Sequence, residues 1–296
     1  MQLEHIADQA IEVRHEGALL FRYVYAPQVA PQESPKPYFH PLQTLAGEVV
    51  TAWRPHDHLW HSGLSMTCAE LSGQNFWGGP TFVRDADYQW LDNVGHQQHQ
   101  SWDETRCDES GLSLCERLHW ITQADEIWID ETRRIAVNEV DTQNGVWSLD
   151  LEFRLRNTRG KELVWGSPTT QGRPNAGYGG LFWRGPRSFQ DGQILGAEGL
   201  QGPEVMGQSA PWLAYVGKHD ETARTSTLVF LDRSGNVRYP NPWFVRATPY
   251  ACASASFMFG EEYVQAPGEE LVLNYRVIVA DGEWKRERIE DSTWLR

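Results

Sequence analysis

Three of the ten histidines and a carboxylate fall together in the run Pro55-His56-Asp57-His58-Leu59-Trp60-His61-Ser62-Gly63. Imidazole titrates near neutrality, and a neighbouring carboxylate orients and charges it, so the set suits general acid/base chemistry or hydrogen bonding to a substrate. In a helix or tight turn, Asp57, His58 and His61 share a face and His56 points away. In an extended chain, His56 and His58 share a face and His61 lies opposite. Either way two imidazoles and a carboxylate can converge. His56, Asp57, His58 and His61 also form an alternative metal-ligand set, although their spacing matches no strong zinc signature such as HExxH. A third reading is structural hydrogen bonding in a buried turn. A further histidine precedes the cluster in Tyr38-Phe39-His40-Pro41.

A histidine pair needs a partner base, and the middle of the chain offers two. Side chains alternate across a strand, so Leu112, Leu114, Glu116, Leu118 and Trp120 share one face, and Ile127, Ile129, Glu131, Arg133, Ile135 and Val137 share another. A carboxylate on an apolar face must be paired or must line a cleft. Glu131 and Arg133 can pair as a structural ion pair. Alternatively Glu116 or Glu131 is the catalytic base, tuned by desolvation and by arginine.

Two long loop blocks supply candidate binding groups. The stretch 73–100 holds Gln74-Asn75-Phe76-Trp77-Gly78-Gly79, His96 and His99; the stretch 166–186 holds Arg173, Asn175, Tyr178 and Arg184 among glycines and aromatics. Guanidinium and amide groups bind hydroxyls, and aromatic faces stack on C–H surfaces, so His40, Asn75, Trp77, His99, Arg173, Asn175, Tyr178 and Arg184 are the candidate substrate-binding residues. A glycine-laced turn that holds its arginine structurally is the plainer alternative. The second block lacks GxxxxGK[ST] and a strand-to-helix context, which excludes a phosphate loop. No GxSxG elbow occurs and no cysteine has a local activation signature, which argues against Ser or Cys nucleophiles. His5, His15, His119 and His219 read as surface or packing residues.

The elements that position these groups are strands. Residues 112–120, 127–137 and 147–155 read as an antiparallel meander with one wet face, with a turn at 141–145. Further strands are expected at 11–13, 18–25, 48–53, 212–216, 226–231 and 271–279. No helical stripe, internal repeat or linker interrupts the pattern, so the expectation is one all-β domain over 1–296, a large antiparallel β-sandwich with long loops over a cleft. The net charge of −14 argues against nucleic acid and anionic membranes and favours a neutral or cationic small ligand. No apolar run approaches the ~18 residues of a membrane span. Cys68, Cys107, Cys115 and Cys252 lack CxxC spacing and the N-terminus lacks a signal pattern, which suggests reduced thiols in the cytoplasm. The sequence sets no oligomeric state. Its 14 tryptophans divide between core packing and stacking in a cleft.

Taken together, Tyr38-Phe39-His40-Pro41, Asp57-His58 with His61 and Gly63, Asn75-Phe76-Trp77, the run 172–185, Trp243-Phe244-Val245-Arg246 and Asp281-Gly282 resemble the PmoA-like ("methane oxygenase PmoA") family of bacterial proteins over nearly the whole chain. A particulate methane oxygenase subunit is a membrane protein and nothing here spans a bilayer, so the likeness does not imply that activity. It implies an architecture similar to the galactose mutarotase-like supersandwich, and gene neighbourhoods of such proteins point to sugar chemistry. In mutarotase-like enzymes a histidine acid and a glutamate base flank the sugar ring oxygen, roles open to His58 or His61 and to Glu116 or Glu131 by analogy of fold. The expectation is thus a sugar-modifying enzyme of epimerase, hydrolase or lyase type without a cofactor. The alternatives are a metal-dependent hydrolase or oxygenase and a non-catalytic carbohydrate-binding or sensing protein.

Overall fold

A computed structural model gives the fold and describes residues 1–109 and 111–295. The predicted meander is the heart of a nine-stranded antiparallel sheet, in which Gly111–Ile121 pairs with Ile127–Val137, that strand with Val146–Asn157, and the last with Glu270–Asp281. The apolar alternates face inward: Leu114, Leu118, Ile129, Ile135, Trp147, Leu151 and Leu155 are all buried. Ile127 departs from the pattern because it opens its strand, next to a register shift at Trp120/Ile121, and is exposed.

The second large sheet has eight antiparallel strands in the order Gln2–Ile6, Ala10–His15, Ala18–Val24, Tyr38–Leu42, Leu64–Cys68, Gly179–Arg184, Cys252–Ala255 and Trp243–Arg246. One hydrophobic core, drawn from both sheets, runs in sequence from Ile11 to Ile289. The result is an all-β antiparallel sandwich. Among the described residues no helix is long and apolar enough to cross a membrane.

Three local expectations change. Gly179–Arg184, read as loop, is an inner strand; every residue in it is buried, so it shows no alternation to read. His96–Asp108, whose first five residues were read as part of the 73–100 loop, is a 13-residue strand. It lies at the edge of its sheet, carries mostly polar residues and is broken by two register shifts against Gly111–Ile121, which erases the period-two signal. Residues 48–53, expected as a strand, join no ladder and make only bridges such as Gln43 to Val49 and Trp53 to Ser62.

Strand Gly179–Arg184 decides where the site lies. Leu181 and Trp183 point into the core between the sheets, whereas Phe182 belongs to a second apolar cluster with Trp77, Tyr178, Phe244 and Cys252. Alternation puts that cluster on the outer face of the eight-stranded sheet. Burying Phe182 there contributes roughly 2 kcal/mol and gives the loops a surface to close over. Those loops carry the histidines.

Candidate active site

Residues 55–62 form two consecutive turns. The His58 N–H donates to the Pro55 carbonyl at 3.0 Å and the His61 N–H to the His58 carbonyl at 3.0 Å. Arg54 N–H to His61 O and Gly63 N–H to Ala52 O, both at 2.9 Å, tie the base of the loop. Gly63 is required at that base: its φ is +52°, and a Cβ would stand 2.1 Å from the Phe39 carbonyl oxygen. The loop thus takes the turn and not the extended alternative. Asp57, His58 and His61 come together, and His56 is exposed.

The two imidazoles stack, with centroids 4.5 Å apart and planes at 17°, and Tyr250 stands edge-on to both. Their partners give them opposite polarity. His58 Nδ1–H donates to Asp57 Oδ2 at 3.0 Å, leaving Nε2 as the lone-pair nitrogen of the neutral ring. Arg184 Nη1–H donates to His61 Nδ1 at 2.8 Å, so the neutral His61 ring carries its proton on Nε2. Arg184 Nη2 also reaches both Asp57 oxygens at 3.1 Å, and the guanidinium lies 3.8 Å from the Tyr250 ring centroid.

Electrostatics hold both rings neutral. Burial pushes His61 well below the ordinary imidazole value, helped by the cations Arg184 and Lys36 and by the repulsion it would feel from a protonated His58. Burial also lowers His58, partly offset by Asp57. Asp57 itself is held low, because hydrogen bonds from His58 and Arg184 outweigh its burial. Lys36, beneath Trp77, donates to the carbonyls of Glu33, Ser34 and Trp77 and is pushed down to about 7 by burial.

His58 and His61 line a cavity of about 350 Å³ with walls of Trp60, Trp77, Phe182, Phe244, Tyr88, Tyr178 and Tyr250, together with Arg173 and Arg246. Arg173 Nη1 donates to Tyr88 Oη at 2.6 Å, and the Tyr88 and Tyr178 hydroxyls lie 2.9 Å apart. Burial pushes Tyr250 up to about 12 and Tyr178 well above the ordinary phenol value, so both remain hydroxyl donors at neutral pH. A second cavity of about 600 Å³, lined by Asp57, Arg184, Arg187 and Gln190, shares His58, Pro249 and Tyr250 with the first.

Of the predicted residues, the structure brings His58, His61, Trp77, Arg173 and Tyr178 into the first cavity and sets Asp57 and Arg184 against the histidine pair. It does not bring Glu116 or Glu131 there. Glu116 accepts from His99 Nδ1 at 2.7 Å and Tyr23 Oη at 2.5 Å; Glu131 pairs with Arg133 at 2.7 Å and accepts from Trp120 Nε1 at 2.6 Å. Arg133 closes the network through Tyr23 and Gln97. These groups lie between the sheets, on the inner side of the sheet whose outer face carries the histidines. The carboxylates are thus buried by pairing and not by lining the cleft, and His99 belongs with them.

Three other candidates lie outside the cavity lining. His40 bonds Thr51 Oγ1 at 3.0 Å and is pushed down to about 4 by burial. Asn175 sits exposed in a turn at φ +51°. Asn75 is buried scaffold: its Oδ1 accepts from the N–H groups of Trp77 and Gly78 at 2.9 and 2.8 Å, which sets the Trp77 wall. The alternative metal set is not assembled, since His61 Nδ1 and Asp57 are turned to a guanidinium; no group of three or more His, Cys, Asp or Glu converges for a metal among the described residues.

Sequence reasoning passed over Trp60, Tyr88, Phe182, Phe244, Arg246 and Tyr250. Arg246 and Phe244 had a signal, the Trp243-Phe244-Val245-Arg246 run, in which a cation ends a buried strand. Local charge differs from that of the whole chain, for the cavity lining contains arginines and no Asp or Glu.

No curated protein matches the sequence. Residues 10–293 match a family of unknown function, DUF6807, and the chain belongs to that family.

Proposed function

We propose that this protein is a carbohydrate-active enzyme performing general acid/base chemistry of epimerase, hydrolase or lyase type on a sugar or sugar derivative. One observation carries the reading: two stacked, neutral imidazoles of opposite polarity at the wall of a monosaccharide-sized aromatic cavity. His58 takes a substrate proton on Nε2, and Asp57 stabilises the imidazolium that forms. His61, too reluctant to become charged, donates Nε2–H to an oxygen on which negative charge develops. Trp77, Phe182 and Tyr178 offer faces to sugar C–H groups, while Arg173 and the tyrosine hydroxyls meet its oxygens. The resemblance to PmoA-like and galactose mutarotase-like proteins points to the same substrate class. Four free cysteines fit a reducing, cytoplasmic setting.

The test is a panel of sugars incubated with the protein in D₂O and followed by proton NMR for product or for C–H exchange. Turnover by the wild type that falls about 10²- to 10⁴-fold in His58→Gln supports the assignment. Undiminished turnover in both His58→Gln and His61→Gln sinks it.

A further inference from the structure

We propose that the cavity is built for an acidic sugar, a uronate-type ligand whose carboxylate is anchored by Arg246 with Arg173 nearby. The inference rests on the carbohydrate reading and names its substrate class.

The chain carries 40 acidic against 26 basic residues, yet the cavity lining holds two arginines and no acid. Elsewhere the protein gives its buried guanidiniums carboxylate partners: Arg133 has Glu131 at 2.7 Å, Arg184 has Asp57 at 3.1 Å and Arg276 has Asp150 at 2.7 Å. Arg246 is treated differently. It is half-buried, its guanidinium lies 5.0 Å from the Phe244 ring centroid, and its side chain makes no hydrogen bond or ion pair among the described residues. Arg173 reaches only the Tyr88 hydroxyl with its side chain. A partly desolvated cation without a counterion costs free energy, and a ligand carboxylate supplies that counterion.

Position and geometry agree with this choice. Arg246 lines the same cavity as His58 and Tyr250, which puts the anchor on the wall of the site that holds the base. A guanidinium fork matches a planar carboxylate in bidentate fashion. No lining residue belongs to a helix, so the helix N-terminus that typically receives phosphate is missing from the lining.

Isothermal titration calorimetry on the full chain with glucuronate, galacturonate, glucose, galactose, glucose 6-phosphate and benzoate tests the assignment. The expected result is that a uronate binds about 10- to 100-fold tighter than its parent hexose, a preference that weakens with added salt and disappears in Arg246→Met. A melting curve shows whether Arg246→Met is folded, and the uronate-to-hexose ratio of the wild type decides the matter without it. Equal binding of uronate and hexose overturns the inference while leaving the carbohydrate reading in place. Tighter binding of glucose 6-phosphate, or a preference that survives in folded Arg246→Met, also overturns it. Binding of benzoate with none of the sugars removes both readings.

Discussion

Arg184 donates to His61 Nδ1 at 2.8 Å, so a permanently charged group occupies the nitrogen that would otherwise take a proton. The same side chain holds Asp57, which in turn orients His58. One arginine therefore sets the tautomer of one imidazole directly and the orientation of the other through a carboxylate.

Removing that arginine should act on both rings. In Arg184→Met, His61 loses its donor and a nearby cation, and its pKa should rise towards the ordinary imidazole value in an NMR titration. Turnover should fall about 10- to 100-fold with the loss of fixed geometry. Stability should fall by about 1–3 kcal/mol, because buried polar groups lose a charged partner.

The pH profile follows from the direction of the His58 shift. Burial lowers its value, so the base form persists on acidification beyond the ordinary imidazole range. kcat/KM should stay level from about pH 8 to about pH 6.5 and decline only below that. An acid limb centred above pH 7 would exclude His58 as the base.

Stability should share that acid sensitivity. His40, pushed down to about 4, and His61, lower than ordinary, are both neutral in the fold and take up protons on unfolding below about pH 6.5. The unfolded chain then binds more protons, so stability is undiminished above about pH 6.5 and is lost as pH falls below it. The His40 contribution to that loss approaches about 3 kcal/mol by pH 4. Urea unfolding at neutral and acid pH should show it, and His40→Gln should flatten the slope.

The inner network should prove structural. Glu131→Ala leaves Arg133 buried without its counter-charge and should cost about 3–5 kcal/mol in chemical denaturation. Ligand affinity of the folded fraction should not change, since the network lies across the sheet from the cavity. A Glu131→Leu/Arg133→Met pair should recover much of the stability.

Gly79 supports a cavity wall. Its φ is +68° and an added Cβ would stand 2.5 Å from the Trp60 ring, so Gly79→Ala should displace that ring and lower sugar affinity about tenfold. Gly73→Ala, at φ +89° with nothing nearby, should carry only backbone strain of about 1 kcal/mol and keep affinity. Calorimetry on the two variants separates the effects.

The period-two pattern in 112–155 carried the all-β sandwich, because a strand with one wet face writes its orientation into alternate residues. At 55–62 the sequence left a turn and an extended chain both open, and only the hydrogen bonds closed by the folded loop chose the turn that sets His58 and His61 together. Gly179–Arg184 and Trp243–Arg246 were not legible, because strands buried on both faces lose alternation.

By itself the sequence determined which groups could do acid/base chemistry and that Glu116 and Glu131 had to be compensated. Which partner each received was decided only by tertiary structure. Alternation tells which side of its own strand a residue occupies, and says nothing of which face of which sheet that side will meet. Folding sent the glutamates into the core, to Tyr23, His99 and Arg133, and drew Arg184 and Arg246 from distant strands to the histidine loop.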